Sequence, residues 1–82
     1  MGRLVLMSRV RWQCRRGLRE LDDLLLRYLD RRYDLAPDDE KQAFHALLAL
    51  SDPELVGYLL NHQRPAAELQ RVVAHILERP GA

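Results

Sequence analysis

Apolar residues in this 82-residue chain recur at intervals of three and four, which is the spacing of one face of an α-helix. No stretch maintains the every-second-residue alternation that a half-buried β-strand requires. The composition agrees with this pattern, because threonine is absent whereas leucine, alanine, arginine and glutamate are abundant. The sequence therefore predicts an all-α fold.

Proline and glycine positions set the expected helix boundaries. Pro37, Pro53 and Pro65 each precede a periodic apolar stretch, as is common in the first turn of a helix. Gly17 separates a short leading helix from a longer one, because glycine inside a helix costs on the order of 1 kcal/mol relative to alanine. The expected helices cover about residues 8–15, 18–33, 37–50, 53–61 and 65–79.

Short connections between these segments predict a compact five-helix bundle, or four helices with a short leading turn. We expect a flexible N-terminal extension at 1–7, a single helical domain at 8–79 and a frayed C-terminus at 80–82. Ser8 is the expected cap of the first helix and Asp52 that of the fourth. The expected core residues are Val10, Cys14, Leu18, Leu21, Leu24, Leu25, Tyr28, Leu29, Ala43, Phe44, Leu47, Leu48, Leu55, Val56, Leu59, Leu60, Leu69, Val72, Val73, Ile76 and Leu77.

Charge is distributed unevenly along the chain. Residues 1–20 hold six arginines and one acidic residue, a net charge of +5, whereas residues 21–82 hold seven basic and eleven acidic residues, a net charge of −4. A basic segment on an acidic body suits nucleic acid, a membrane surface or a protein partner, and is also typical of a solvated arginine-rich face. The acidic remainder argues against a nucleic-acid-binding domain.

Residues needed for catalysis or metal binding are scarce. The single cysteine, Cys14, falls on an expected inward face, where a buried, inert thiol is a simpler interpretation than a nucleophile. The histidines His45, His62 and His75 are too far apart to form a helical metal-binding pair. No Gly-rich nucleotide-binding motif occurs. We therefore expect no enzyme activity, no catalytic residue, no metal site and no intrinsic cofactor.

Cysteine usage and hydropathy also bear on location. One unpaired cysteine suits a reducing compartment. No apolar run reaches the length that spans a bilayer, and the first residues lack the features of a signal peptide. We therefore expect a cytoplasmic monomer that does not insert into a membrane.

Arg16, Gly17 and Glu20 form an Arg-Gly-x-x-Glu arrangement at the junction of the first two expected helices. In a continuous helix Arg16 and Glu20 would lie one turn apart, where an exposed pair contributes only about 0.3–0.5 kcal/mol. Gly17 leaves a spot without a side chain, which lets a partner backbone approach closely. From these residues alone, a solvated charged stripe and a partner-binding surface both remain open.

The chain resembles the succinate dehydrogenase FAD assembly factor family, which includes bacterial flavinylation factors and the mitochondrial assembly factor 2. The resemblance covers nearly all of residues 9–78 and begins with Arg11-Trp12-x-Cys14-Arg15-Arg16-Gly17-Leu18-Arg19-Glu20-Leu21-Asp22. It continues through Tyr33-Asp34, Asp38-Asp39-Glu40-Lys41, Phe44, Leu47-Leu48, Asp52-Pro53-Glu54-Leu55 and Leu59-Leu60-Asn61-His62. One departure is Gly57-Tyr58, where bacterial relatives often have a bulkier pair with tryptophan.

This resemblance implies a five-helix fold and a non-enzymatic role. Family members bind the flavoprotein subunit of succinate dehydrogenase, and in some bacteria that of fumarate reductase, and promote covalent linkage of FAD to a histidine of that subunit. FAD is then carried by the partner. Arg16 of the motif is expected to donate hydrogen bonds to the partner. The expected partner-binding residues are Arg11, Trp12, Arg15, Arg16, Gly17, Glu20 and Asp22.

Two other interpretations compete with this one. The first is a small nucleic-acid-linked regulator or an antitoxin-type interaction protein, a label that some members of this family carry and that the +5 charge of residues 1–20 favours. The second is a helical adaptor with a different protein partner. Neither is expected to be an enzyme.

Overall fold

Five α-helices and one 3-10 turn make up the part of the chain that the structure describes. The computed structural model describes the backbone of residues 2–78 and the side chains of residues 7–78. The predicted frayed end at 80–82 lies outside the described residues. The elements are α1 (Gly2–Gln13), α2 (Arg19–Arg31), the 3-10 turn (Tyr33–Leu35), α3 (Asp38–Leu48), α4 (Asp52–Leu59) and α5 (Ala67–Leu77). No strand occurs within residues 2–78, and the predicted all-α, five-helix fold is confirmed.

The first helix starts earlier than the sequence pattern indicates. It begins at Gly2, so the predicted start and cap at Ser8 are wrong. The physical reason is that no proline or glycine lies between Arg3 and Gln13, and nothing in this segment stops a helix from extending towards the N-terminus. The predicted flexibility of residues 1–7 stays a prediction.

The start of α2 is set by the two residues before it. Gly17 has a φ of +77°, in the left-handed region, and Leu18 is extended with φ −116° and ψ 107°. Leu18 therefore lies before the first helical turn and is 41% exposed, so its predicted place in the core is wrong. The helix ends at Arg31 instead of Tyr33, and a 3-10 turn follows.

The N-terminus of α4 carries a capping box. Ser51 Oγ accepts a hydrogen bond from the backbone N–H of Glu54 at 3.4 Å, and the Glu54 carboxylate accepts one from the backbone N–H of Ser51. The prediction that Asp52 caps this helix is therefore wrong, since Asp52 is its first helical residue and Ser51 precedes it. Pro53 occupies the first turn as predicted, where its missing N–H leaves no hydrogen bond unmade.

The C-terminus of α4 is closed by a left-handed residue. His62, three residues after the last residue of this helix, has a φ of 56°. The turn lets the backbone N–H of Gln63 donate to Gly57 O at 2.9 Å. The Gln63 side chain lies over Gly57, where an added Cβ would meet Gln63 Oε1 at 2.3 Å. Because Gln63 is an exposed, flexible side chain that can move aside, this contact alone does not require a glycine at position 57.

The core is formed by the predicted apolar stripes of α2 to α5, together with Val10 of α1 and Cys14, which follows α1 directly. An aromatic cluster lies at its centre, with ring centroids 4.5 Å apart for Tyr28 and Phe44 and 5.7 Å apart for Tyr33 and Phe44. The predicted core residues that are only partly buried are Leu24, Ala43, Val56, Leu60 and Leu77.

Glu40 is a buried carboxylate that joins three helices, and the sequence analysis missed it. Its side chain accepts from Tyr28 Oη at 2.6 Å and from the Arg32 guanidinium at 2.7 and 3.0 Å, and His75 Nε2 of α5 lies 3.6 Å away. The hydrogen bonds from Arg32, and then that from Tyr28, hold the pKa of Glu40 at about 2 despite burial. The carboxylate is therefore charged and fully partnered inside the bundle.

Candidate partner-binding surface

Gly17 marks the surface end of the connection between α1 and α2. Its φ of +77° lies where L side chains are strained, which explains a glycine here. A Cβ added to Gly17 would meet no atom within 4 Å, so the space beside its backbone is open. Glycine is thus required by the backbone and not by internal packing, and the exposed backbone is accessible to a partner.

The backbone of Arg16 is fixed by a side chain of the following helix. Its N–H donates to Asp22 Oδ1 at 2.6 Å, across six positions of sequence. Asp22 is half-buried in the first turn of α2. The carboxylate therefore secures the residue that immediately precedes Gly17.

The guanidinium of Arg16 is directed inward, and its side chain is only 17% exposed. Nε donates to Gln13 O at 3.0 Å and one terminal nitrogen donates to Leu50 O at 3.3 Å, while the other donates to Leu48 O. The carboxylate of Asp52 lies 3.5 Å from the guanidinium. The last carbonyls of a helix lack intrahelical partners, and a cation is favourable there. Arg16 thus joins the α1–α2 connection to the C-terminal end of α3.

Glu20 lies apart from Arg16. Because α2 begins at Arg19, the two residues are not one turn apart on a continuous helix, and no ion pair forms between them. Glu20 is exposed in the first turn of α2, where a negative charge stabilises the helix. No hydrogen bond or ion pair joins its carboxylate to another side chain within residues 7–78, so it is available to an external donor.

Apolar and basic side chains surround the Gly17 turn. Trp12 is 75% exposed and Leu18 is 41% exposed, and among the described large apolar residues only Leu35, at 84%, is exposed as well. Arg15 is exposed between them in sequence. A shallow depression of about 260 Å³ lies beside the turn, lined by Trp12, Gln13, Arg15, Arg16 and Leu48. We call the exposed set of Trp12, Arg15, Gly17, Leu18 and Glu20 the turn surface.

Arg11 has an internal partner at the edge of this region. Its guanidinium donates to Asp30 Oδ1 at 2.5 Å, which joins α1 to α2. The hydrogen bond and charge of Asp30 raise the pKa of Arg11 above its usual value. Both side chains are about half exposed, so the pair contributes little to stability and can exchange partners.

Cys14 lies directly beneath the turn surface and is fully buried. Burial raises the pKa of its thiol to about 11, so the thiolate needed for nucleophilic attack is scarce at neutral pH. The predicted burial of this thiol is confirmed, and its lack of reactivity stays a prediction. Within residues 2–78 no cluster of histidine, cysteine, aspartate and glutamate is arranged to hold a metal ion.

None of the helices in the described range combines the length and apolar character that a membrane span requires. The longest of them, α2, has 13 residues, and seven of these are charged. A helix needs roughly 20 mainly apolar residues to cross the hydrocarbon core.

Arg11 is exposed but paired with Asp30, and the structure divides the other six predicted partner-binding residues into two groups. Trp12, Arg15, Gly17 and Glu20 are exposed together, whereas Arg16 and Asp22 hold the turn from within. Sequence reasoning missed Leu18 as a surface residue. The signal for this is Gly17, because a glycine that interrupts the chain before a helix leaves the next residue outside the first helical turn.

The described residues thus form a small all-α domain with charged and aromatic side chains exposed around one turn. Over residues 8–80 the chain matches the family described as flavinator of succinate dehydrogenase, and it belongs to that family. It is 44% identical over 73 residues to the FAD assembly factor SdhE of Yersinia pseudotuberculosis, a match that covers 88% of this chain and 83% of that protein. The FAD assembly factor SdhE of Pectobacterium atrosepticum is 42% identical over the same shares, and that of Serratia sp. is 40% identical over 87% of this chain and 82% of the relative.

Proposed function

We propose that this protein is an assembly factor that binds the flavoprotein subunit of succinate dehydrogenase and promotes covalent attachment of FAD to it. The observation that carries the proposal is the family match over residues 8–80, which includes the Arg16-Gly17-x-x-Glu20 motif. Relatives at 40–44% identity bear the name FAD assembly factor. Fumarate reductase, which has a related flavoprotein subunit, is proposed as a second client.

The turn surface is the proposed contact with this client. Trp12 and Leu18 supply exposed apolar area, which is the usual centre of a protein interface. Arg15 supplies a guanidinium and Glu20 a carboxylate, which specify partners of opposite charge at the rim. The backbone at Gly17 lets the client approach without a side chain between the two chains.

Arg16 has a different role in this proposal from the one expected at first. Its guanidinium donates to carbonyl groups of Gln13, Leu48 and Leu50, so it has few donors left for the client. We propose that Arg16 is a positioning residue that holds Gly17 and the start of α2 in the binding conformation. Asp22 acts in the same way through the Arg16 backbone N–H.

The factor contributes orientation and the client contributes the reacting groups. FAD is carried by the client, and the bond forms between the flavin and a histidine of the client. Docking selects a client conformation in which these two groups lie in contact, which removes much of the entropic cost of bringing them together. In this proposal no side chain of the factor takes part in the bond, and the buried Cys14 thiol is not used.

The proposed setting is a cytoplasmic monomer. Nucleic acid is not a proposed partner, because two arginines of the basic segment are already engaged, Arg11 with Asp30 and Arg16 with carbonyl groups. A phosphate-binding surface needs several free guanidinium groups on one face.

Coexpression of the client with variants of the factor tests the proposal. Covalent flavin fluorescence on the denatured client subunit is the readout. We expect Glu20→Ala to reduce it at least tenfold, since a charge-assisted hydrogen bond contributes about 1.5–3 kcal/mol. Glu68→Ala is the matched control, because Glu68 is also an exposed acid in the first turn of a helix. Equal fluorescence with Glu20→Ala and Glu68→Ala would remove Glu20 from the interface.

Arg16→Ala separates positioning from direct contact. A positioning role predicts that this variant loses both thermal stability and flavinylation, whereas Glu20→Ala loses flavinylation alone. Circular dichroism melting of the purified variants measures the first property. A stable Arg16→Ala variant with no flavinylation activity would instead support direct donation by Arg16 to the client.

A further inference from the structure

A second depression lies at the opposite end of α2 from the turn surface. It has a volume of about 240 Å³ and lies between the C-terminal ends of α2 and α5. Three arginines line it, together with three other side chains that carry hydrogen-bonding atoms and one aliphatic side chain. The lining residues are Arg27, Tyr28, Arg31, Arg32, His75, Ile76 and Glu78.

The three guanidinium groups in this depression have different surroundings. Arg32 is committed to the buried carboxylate of Glu40, and Arg27 donates from one terminal nitrogen to Ile76 O at 3.0 Å and Glu78 O at 3.2 Å. Arg31 is exposed and makes no hydrogen bond or ion pair with another side chain within residues 7–78. The Glu40 carboxylate pairs with Arg32, and the Glu78 carboxylate lies 3.0 Å from His75 Nδ1, so three guanidinium groups stand against two carboxylates and the depression keeps an excess positive charge.

Helix geometry places this depression and Glu20 of the turn surface on one face of α2. Arg27 and Arg31 lie seven and eleven residues after Glu20, which are two and three turns along the same face of α2. At 1.5 Å per residue, Glu20 and Arg31 are about 16 Å apart along the helix. A protein that binds at the turn surface therefore reaches this depression without turning around the factor.

We propose that the Arg27–Arg31 depression is a second docking point, which receives an acidic side chain of the client. The inference rests on the proposed function and specifies more of the same interface. A guanidinium pairs with a carboxylate through two parallel hydrogen bonds, and Arg31 has its full set of donors free for this pairing. The exposed face of α2 then presents an acceptor at Glu20 and a donor at Arg31, which fixes the direction in which the client binds.

Arg31 also lies in the last turn of α2, where positive charge stabilises a helix whatever binds there. The test therefore needs variants that separate the effect of the positive charge from that of the two parallel hydrogen bonds that a guanidinium donates, called the guanidinium fork below. Arg31→Lys keeps the charge and loses the fork, and Arg31→Gln loses both. Arg64→Gln is the matched control, because Arg64 is exposed in the connection between α4 and α5 and its replacement changes the net charge equally.

Affinity is measured by titration calorimetry with the flavoprotein subunit of succinate dehydrogenase, purified from cells that lack the factor. We expect Arg31→Gln to weaken binding roughly tenfold and Arg31→Lys to weaken it by a smaller factor, as for loss of one charge-assisted pair. Arg64→Gln is expected to stay within about twofold of wild type, since an exposed single charge contributes little. Thermal melting of each variant checks that the fold is intact.

The outcomes distinguish the inference from the proposed function. Equal weakening by Arg31→Gln and Arg64→Gln overturns the docking point, because net charge then accounts for the effect. Wild-type affinity in Arg31→Gln, with weaker binding in Glu20→Ala, overturns the docking point and leaves the proposed function standing. Arg31-dependent binding of free succinate to the factor alone assigns the depression to a small anion and also overturns it. A wild-type factor that does not bind the subunit contradicts both.

Discussion

The backbone N–H of Arg16 and the carboxylate of Asp22 are joined by a 2.6 Å hydrogen bond that closes the turn between α1 and α2. On the other side of the same residue, the Arg16 guanidinium donates to the C-terminal carbonyls of α3. Arg16 is thus held by its backbone to one helix and by its side chain to another. Gly17, the next residue, is therefore held in a fixed position at the protein surface.

Asp22→Ala is expected to lower the free energy of unfolding by about 1–2 kcal/mol, because it leaves the part-buried Arg16 N–H without its acceptor. Asp22→Asn keeps an oxygen acceptor but not the charge, so about half of the loss should be recovered. Urea unfolding followed by circular dichroism measures both. Asp23→Ala is the control, since Asp23 is an exposed neighbour and should change stability by less than about 0.5 kcal/mol. Similar losses in Asp22→Ala and Asp23→Ala would contradict this role.

Gly17→Ala is expected to destabilise the protein by about 1–2 kcal/mol through backbone strain alone. The φ of +77° disfavours any Cβ, whereas the space around Gly17 is open and adds no clash. Gly17→Asn should cost less than Gly17→Ala, because asparagine tolerates the left-handed conformation better than alanine does. Equilibrium unfolding of both variants ranks them. An alanine variant as stable as wild type would show that the turn relaxes to a negative φ.

Much of the fold follows from the linear pattern of apolar residues. The stripe of Leu21, Leu25, Tyr28 and Leu29 is buried as predicted, because three- and four-residue spacing needs no knowledge of what packs against it. The family predicted from the Arg16-to-Asp22 segment and its downstream motifs is confirmed by the match over residues 8–80. Leu18 was misplaced because the same spacing was extended across a residue that is not helical.

Long-range polar partners were beyond the sequence pattern. Glu40 follows two exposed acidic residues in the first turn of α3. A negative charge at a helix N-terminus is favourable for all three, so the sequence does not distinguish the buried one. Only the packing of α2 and α5 shows that it is buried with Tyr28 and Arg32. The Arg16 guanidinium donates to backbone carbonyl groups 32 and 34 positions away. Every residue has such a carbonyl, so the sequence does not show which ones accept.

Glu40→Gln is expected to lower the free energy of unfolding by about 2–3 kcal/mol. The amide is similar in shape but neutral, so the Arg32 guanidinium loses its counter-charge and one of its bonds becomes a donor–donor contact. The loss is below the range for a fully buried pair because the Arg32 side chain is 35% exposed. Asp38→Asn, which neutralises an exposed acid in the first turn of the same helix, should cost well under about 1 kcal/mol. Equal losses in the two variants would argue against the network.

The lowered pKa of Glu40 predicts a range of acidic pH over which the protein loses stability. This pKa falls from an ordinary value of 4.5 to about 2 in the folded protein, so the unfolded chain binds the proton more readily. The stabilisation from Glu40 is therefore fully present above about pH 4.5 and is lost as the pH falls through 2. Wild type and Glu40→Gln should thus differ most in unfolding free energy near pH 6 and converge between pH 4.5 and 2. A difference that stays constant across this range would contradict the depressed pKa.

The thiol of Cys14 should be unreactive in the folded protein. Burial raises its pKa from 9.0 to about 11, so at pH 8 the thiolate fraction is roughly a hundredfold smaller than for an ordinary thiol, and the sulfur is also inaccessible. Ellman's reagent should therefore label the native protein only as fast as it unfolds, and should label it at once in guanidinium chloride. Cys14→Ala with Arg15→Cys is the matched control, because it moves the thiol one residue along to an exposed position and should react immediately. Fast labelling of native wild type would mean that the α1–α2 turn opens readily, and the fixed turn surface on which client binding depends would then have to be abandoned.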